Sequence, residues 1–343
     1  MIPRQNRLGR SRVKVTELAF GAAGIGNLFT AVSDAEAEQA VEAAWEAGVR
    51  YFDTAPHYGL GLSERRLGDA LRAVPRDAYV LSTKVGRILE PVAPDGNDRA
   101  NDPVNAPTND LANGFAAPAT HRRRWDFTAA GVRRSIEESL NRLGLDRIDI
   151  AYLHDPDDHA EQALTEAYPE LERLRAEGVL GAIGIGMNQA GLPARFVRET
   201  DLDVVLLAGR YSLLDQRGLT DLLPLAAERG VGVVVGGVFN SGLLADPKPG
   251  APFDYTAAPT ELLDRALRMK AVCERYGLPL RAAALRFPFG HPAVASVLVG
   301  TRSAAEVRDA AALLTHPVPD GLWAELKERG LLPAEVPTPG EAV

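Results

Sequence analysis

A single-domain (β/α)8 barrel, the TIM-barrel class of α/β folds, is what this sequence predicts, on three observations. Eight short apolar segments alternate with helical ones between Val15 and Leu314. The apolar segments are nearly continuous runs, the pattern of parallel strands covered on both faces. No tandem repeat and no break in composition divides the 343 residues. Periodicity alone also admits an open, doubly wound sheet. The count of eight favours the closed barrel, whose active site lies at the carboxyl ends of its strands.

The elements follow in order. Val15–Phe20 is the first strand, ending at Gly21. Ser33–Gly48 is a helix: Ser33 is an N-cap, Glu36 stands at the capping-box position, and Ala40, Val41, Ala44 and Trp45 form its apolar stripe before Gly48 stops it. Val49–Asp53 is the second strand, Glu64–Ala73 a helix and Ala78–Lys84 the third strand. Thr128–Leu143 places Val132, Ile136 and Leu140 on one side and leads through Gly144 to the fourth strand, Ile148–Leu153. Helix Leu164–Glu177, strand Ala182–Met187, helix Ala194–Glu199 and strand Val204–Ala208 come next. Helix Thr220–Arg229 then precedes strand Val231–Val235. Helices Leu262–Tyr276 and Arg281–Leu285 precede the eighth strand, Ala295–Val299, and Ala304–Leu314 follows it.

Two segments break the alternation. Gly86–Trp125 is a 40-residue interval rich in Pro, Asn, Asp and Gly after the third strand. Loops of that length are functional or disordered, and its departure from a catalytic rim predicts a lid or substrate wall. Asn240–Ala258, after the seventh strand, is similar and is expected to fold over a ligand. The domain reading is one barrel over residues 1–343, with a core of about 15–314, the 86–125 insertion and a 315–343 extension.

Composition excludes several classes. A chain this long buries about three quarters of its unfolded surface and needs neither disulfide nor structural metal to hold its core. The net charge of -8 disfavours nucleic acid. Cys273, the only cysteine, excludes an internal disulfide and a Cys-rich zinc site, and reads as inert packing. Met1–Val15 is polar and arginine-bearing without an apolar core, and the longest apolar run, Val231–Phe239, is too short for a bilayer. A cytoplasmic protein without membrane partners is expected.

Function is read from the strand ends. Asp53 in RYFDTAPHYG, Lys84 in VLSTKVG, His154 in AYLHDPDD and Asn188 in GIGMNQ each close a strand, and Tyr58 follows Asp53 by five residues. Taken singly, each has an ordinary explanation: a cap, a solvated amine, a structural hydrogen bond, a packed ring. Together they form a proton-transfer device. A cation close to a tyrosine draws its pKa down from about 10 towards neutrality. Lys84 supplies that cation, Asp53 holds it charged, and His154 aligns the reacting oxygen. No G-x-S-x-G elbow and no H-E-x-x-H spacing offers a hydrolase instead. Val299–Ser303 (VGTRS) opens a helix whose backbone and side chains can meet a phosphate, or can form a plain cap by Ser303. Gly24-x-Gly26 is only a fragment of a dinucleotide fingerprint.

At these residues the sequence resembles the aldo-keto reductase family. DTAPHYG, STK, LH, FGAAGIGN, SLNRLGLDRIDI, GIGMNQ, RYSLLDQ and VGTRS carry the likeness over nearly the whole chain. The closest group within it oxidises aldoses such as L-fucose, D-arabinose or L-galactose at C1, and includes pyridoxal-oxidising members. The resemblance implies NAD, with NADP possible, held without a Rossmann domain. It implies Tyr58 as acid/base, Lys84 and Asp53 as its tuners, and His154 as the substrate orienter. Asn188 would meet the carboxamide and Tyr211 would stack on the nicotinamide. Gly24, Asp53, Gly236, Gly237, Phe239, Ser241 and Leu243 would line the cofactor, and Gly300, Thr301, Arg302, Glu306 and Asp309 its adenosine end.

Departures from the family pattern are specific. Met187 replaces a serine, and Ala208 a glutamine, that support the carboxamide. Glu306 stands where NADP-preferring members carry arginine, which points to NAD; Arg302 argues the other way. The expected substrate is a small sugar or aldehyde, read by Tyr58, His154, Asp155 and Trp125, with Asp157 and Asp158 alongside. Trp125 serves equally as an anchor for the returning loop. Pyridoxal or general carbonyl chemistry is the alternative within the family, and a non-catalytic nicotinamide-binding subunit the alternative outside it. Monomer and dimer both fit.

Overall fold

The computed structural model describes residues 4–92, 109–254 and 256–341. Eight parallel strands close a barrel: β1 (Leu18–Gly21), β2 (Tyr51–Asp53), β3 (Val80–Val85), β4 (Ile150–His154), β5 (Ala182–Met187), β6 (Val204–Ala208), β7 (Gly232–Gly236) and β8 (Val294–Gly300). Their order around the barrel is their order in the chain. The helices are α1 (Asp34–Glu46), α2 (Leu62–Leu71), α3 (Ala129–Leu143), α4 (Tyr168–Ala176), α5 (Gly191–Glu199), α6 (Leu222–Arg229), α7 (Thr260–Arg275), α8 (Leu280–Arg286), α9 (Ala304–Leu314) and α10 (Asp320–Glu328).

The predicted alternation is present, with differences at element ends. The run Val15–Phe20 is divided: Lys14–Thr16 pairs antiparallel with Gln5–Arg7, and the barrel strand starts at Leu18. The Thr16 hydroxyl donates to the Leu18 carbonyl at 2.7 Å, a local bond that turns the chain between the two strands. At Ser33 the capping box forms as its sequence implies, with Glu36 N–H on the Ser33 hydroxyl at 3.2 Å and Ser33 N–H on the Glu36 carboxylate at 2.9 Å. Residues 315–343, expected only as an extension, contain α10, whose Leu322, Trp323 and Leu326 are buried. Pro319 and the spacing of those three apolar residues are the signal that was legible there.

The chain packs as two compact units: Met1–Ala19 with Gly184–Val299 and Arg308–Val343, and Phe20–Ile183 with Gly300–Val307. In the first, Tyr211, Phe287 and Trp323 form an aromatic cluster, with ring centres 5.1 Å and 6.3 Å apart in turn. In the second, Phe52 packs between Phe20 at 5.9 Å and Tyr79 at 6.0 Å. Cys273 is buried, and burial pushes its thiol up to about 12, consistent with inert packing. Among the described residues no helix is long and apolar enough to cross a membrane.

The long insertion has a built base. Arg87–Pro91 pairs antiparallel with His121–Trp125, so the chain leaves and returns as a two-stranded ribbon. Bridges join Asn109 to Pro118 and Leu28 to Phe115. Residues 93–108 of the expected lid lie outside the described residues. Asn240–Ala258 opens with a 3-10 turn and contains the short pair Pro252–Phe253 and Thr256–Ala257.

Candidate active site

Alternate residues of a strand face the same side, and the parallel register brings three strand ends together. Asp53 of β2 stands beside Ser82 of β3, and Lys84 of β3 beside Tyr152 of β4, two residues before His154. Lys84 Nζ donates to Asp53 Oδ2 at 2.6 Å and to the Thr54 carbonyl at 3.0 Å, with both charged side chains almost wholly buried. The same ammonium lies 4.7 Å from the centre of the Tyr58 ring. The His154 ring stands edge-on to Tyr58, centres 6.0 Å apart. Asp53, Tyr58, Lys84 and His154 thus meet as one cluster.

The loop carrying Tyr58 is held from several sides. Gly59, Leu60 and Gly61 are all left-handed, with φ of 59°, 53° and 81°, a turn that two glycines make tolerable. Ser63 donates to the Ala22 carbonyl at 2.8 Å and shares a 2.8 Å hydroxyl contact with Thr54. Glu64, fully buried at the start of α2, accepts from Thr83 at 3.0 Å and from Arg142 of α3 at 2.5 Å. Arg66 donates to the Ile25 carbonyl, the Asn27 side chain and the Val32 carbonyl at 2.7–2.8 Å. The LSERR run after the tyrosine is therefore scaffolding for it.

Electrostatics correct one expectation. Burial raises the Tyr58 pKa above the ordinary phenol value, and the opposing pull of Lys84 does not reverse it. Asp53, beside the lysine, also pushes the phenol up. In the protein alone Tyr58 is a neutral donor, and Lys84 moderates the cost of its phenolate. Burial disfavours the Lys84 charge, but Asp53 and Tyr58 outweigh it and hold the lysine above its usual range. Burial, reinforced by Arg87 and Lys84, drives His154 well below the ordinary imidazole value, so it is neutral at physiological pH.

The described part of the 86–125 insertion stands beside this cluster, through residues that the sequence did not single out. Phe115 stacks on Tyr58 at 6.1 Å and meets the edge of His57 at 5.2 Å. Burial, with Arg87 and Arg123, takes His57 down to about 2. Arg123 grips Asp110 through both terminal nitrogens, at 2.8 and 2.5 Å, and donates to the His57 carbonyl at 2.9 Å. Arg87 is ion-paired to Asp155 and lies 4.4 Å from the Trp125 ring centre. Trp125 also stacks on Phe127, centres 6.0 Å apart. Asp155 holds a left-handed φ of 42° immediately before Pro156, a costly conformation kept where it meets Arg87. Its carboxylate also lies 3.6 Å from His154 Nε2. Asp157 and Asp158 are exposed in the following turn. Arg87 and Arg123 sit in aperiodic sequence, where no spacing marks them.

The residues assigned to a cofactor fall in both units. In the Phe20–Ile183 unit, a Cβ on Gly24 would stand 2.5 Å from the Thr301 carbonyl, so only glycine lets that segment lie so close. Thr301 Oγ1 is buried without a protein partner, and Gly300 is exposed. An orphaned hydroxyl beside the start of α9 suits a phosphate acceptor. Glu306 takes the Arg302 guanidinium at 2.7 Å and the Arg302 backbone N–H at 2.8 Å. Ser303 accepts from Glu306 N–H at 3.3 Å, the predicted cap. In the other unit, Asn188 is exposed after β5, beyond a buried Met187, and Ala208 ends β6. The buried Tyr211 hydroxyl has no protein partner, and burial raises its pKa. Gly236 ends β7; Gly237 and Ser241 have left-handed φ of 65° and 59°. Phe239 is half-buried, Leu243 is buried, and Asp309 is ion-paired to Arg281.

Comparison with known proteins gives the family. Over 323 residues the chain is 50% identical to the D-threo-aldose 1-dehydrogenase of a Pseudomonas species, covering 93% of this chain and 95% of the relative. It is 42% identical over 338 residues to the pyridoxal 4-dehydrogenase of Microbacterium luteolum, covering 95% and 97%. The holo form of the aldo-keto reductase AKR11C1 from Bacillus halodurans superposes with a TM-score of 0.73 at 26% identity, covering 97% of this chain and 98% of that one. Residues 17–329 match the aldo/keto reductase family. The chain belongs to the aldo/keto reductase family and is an oxidoreductase.

Proposed function

We propose that the protein oxidises the C1 hydroxyl of an aldose pyranose to the 1,5-lactone, with NAD as the preferred cofactor. One observation carries the reading: Lys84 bridges the Asp53 carboxylate at 2.6 Å and the Tyr58 ring at 4.7 Å beside a neutral His154. Likeness to an aldose dehydrogenase over nearly the full chain supports the substrate class. Tyr58 acts as the base in its phenolate form, which Lys84 stabilises, and becomes the neutral phenol as its Oη takes the C1 hydroxyl proton. His154, neutral and edge-on to Tyr58, has an N–H to orient the reacting oxygen. When bound, the nicotinamide supplies the two-electron acceptor for the C1 hydrogen. Gly24, Gly300, Thr301 and the start of α9 would hold its adenosine-phosphate end.

The cofactor preference rests on Glu306. Its carboxylate occupies Arg302 at both the guanidinium and the backbone N–H and repels further negative charge. A 2'-phosphate therefore lacks its one obvious partner there. A second reading has a specific observation behind it. The stacked Phe115 and the adjacent His57 give Tyr58 an aromatic wall suited to a flat ring, as in pyridoxal.

Initial rates with L-fucose, D-arabinose, L-galactose and pyridoxal, each with NAD and NADP, separate these readings. The expected result is a higher kcat/KM for at least one sugar than for pyridoxal, and for NAD than for NADP. Pyridoxal ahead of every sugar would overturn the substrate assignment, and a tenfold preference for NADP the cofactor one. Arg87→Leu is expected to raise KM for the preferred sugar by roughly tenfold or more, as loss of a hydrogen-bonding charge does, with little change in cofactor Kd. An unchanged KM would remove Arg87 from the substrate wall.

A further inference from the structure

Each strand that delivers a charged or titrating group to the cluster carries a hydroxyl two residues earlier. Tyr51 precedes Asp53, Ser82 precedes Lys84, and Tyr152 precedes His154. Side chains two apart on a strand face the same way, so these hydroxyls form a layer directly beneath the cluster. In barrels of this class that layer is commonly filled by branched aliphatic residues. Here all three side chains are fully buried, and they are joined to one another. Tyr152 and Tyr51 hydroxyls lie 2.9 Å apart, Ser82 Oγ lies 3.2 Å from Tyr51 Oη, and Ser82 Oγ lies 2.6 Å from Asp53 Oδ1.

Proton bookkeeping gives the chain a direction. The Asp53 carboxylate, paired with Lys84, only accepts. The single Ser82 proton therefore goes to Asp53, over the shortest contact and to the only charged partner. Tyr51 must then donate to Ser82, and Tyr152 to Tyr51. Burial raises both tyrosines above the ordinary phenol value, which keeps them protonated as donors. Three dipoles thus align head to tail on one carboxylate oxygen, while the other oxygen holds Lys84.

We propose that Ser82, Tyr51 and Tyr152 are positioning residues that draw Asp53 charge away from Lys84 and thereby ease ionisation of Tyr58. Asp53 opposes the Tyr58 phenolate, and Lys84 favours it. A carboxylate that shares its charge with a donor chain cancels less of the lysine's field at the phenol. Aligned hydrogen bonds polarise one another, so the far tyrosine contributes through the near one. The inference rests on Tyr58 as the acid/base.

The test compares Ser82→Ala, Tyr51→Phe and Tyr152→Phe with the parent protein. The two Phe variants remove only an oxygen and keep the core filled if Ser82→Ala fails to fold. For oxidation of the best sugar, the pH at which kcat rises is expected to move alkaline. The shift is about half to one unit for Ser82→Ala, less for Tyr51→Phe and least for Tyr152→Phe, since hydrogen bonds to charged groups are the strong ones. At a fixed pH below the midpoint that is about a three- to tenfold fall in kcat for Ser82→Ala. Absorbance titration of each protein against its Tyr58→Phe double reads the Tyr58 phenol without turnover, and is expected to shift in the same order. Lower Tm with unmoved pH midpoints would show the hydroxyls to be structural only and overturn the proposal. Tyr58→Phe assayed alone separates failure of the acid/base reading, in which turnover survives, from failure of the chain, in which turnover is lost but the titrations do not move.

Discussion

Tyr58→Phe is expected to lower kcat by about 10²–10⁴-fold, the range general acid–base groups contribute, with cofactor Kd unchanged. The change removes one oxygen and leaves the ring between Phe115 and His154, so the pocket keeps its shape. No neighbour can take over the proton. Lys84 is held charged by Asp53, and His154 is kept neutral by burial beside Arg87. Fluorescence titration with NADH and steady-state oxidation of the preferred sugar check the two halves. Turnover within a few-fold of the parent would sink the assignment.

Lys84→Met is expected to damage stability and chemistry together. It leaves the Asp53 carboxylate buried with only Ser82 as a side-chain partner. Breaking a buried ion pair from one side costs about 3–5 kcal/mol, read as a lower denaturation midpoint. The double change Lys84→Met with Asp53→Asn removes the stranded charge and is expected to recover much of that stability without recovering turnover. A double variant as unstable as the single one would refute the buried-charge explanation. The pH dependence has a definite sign. Lys84 titrates higher in the folded protein than unfolded. Its stabilising contribution is therefore complete below the ordinary lysine range and fades as pH rises through the folded value. In strong alkali, where Lys84 loses its charge and Asp53 keeps its own, the parent and the Lys84→Met variant should converge.

Sequence made the strand-end chemistry legible because Asp53, Lys84 and His154 each close an apolar run, where period and punctuation are sharpest. The capping box at Ser33 and the cap at Ser303 were legible for the same reason, being local bonds between residues three apart. Arg87, Arg123 and Phe115 were not. They belong to an interval whose ribbon is set by pairing between residues 30 to 38 apart, from Pro91 with His121 to Arg87 with Trp125, and no local period announces that. The sign of the Tyr58 shift was also out of reach, since it depends on how deeply the phenol is buried. The hydroxyl layer lay in between. Its i, i+2 spacing was visible at Tyr51, Ser82 and Tyr152, but only the register of β2, β3 and β4 turns three separate spacings into one chain.

The anchoring of the Tyr58 loop has an evolutionary consequence. Ser63, Glu64 and Arg66 tie it to α1, α3 and the turn after β1, so most changes there disturb folding before they alter selectivity. The wall is tied to the same site by the Leu28–Phe115 bridge, the Asn27–Ala116 bonds, the Arg87–Asp155 pair, the Arg123 bond to His57 and the stacking of Phe115 on Tyr58. An exchanged wall must therefore supply its own ring face to Tyr58. Substrate range and proton handling are thus coupled through one ring stack, not free to vary apart.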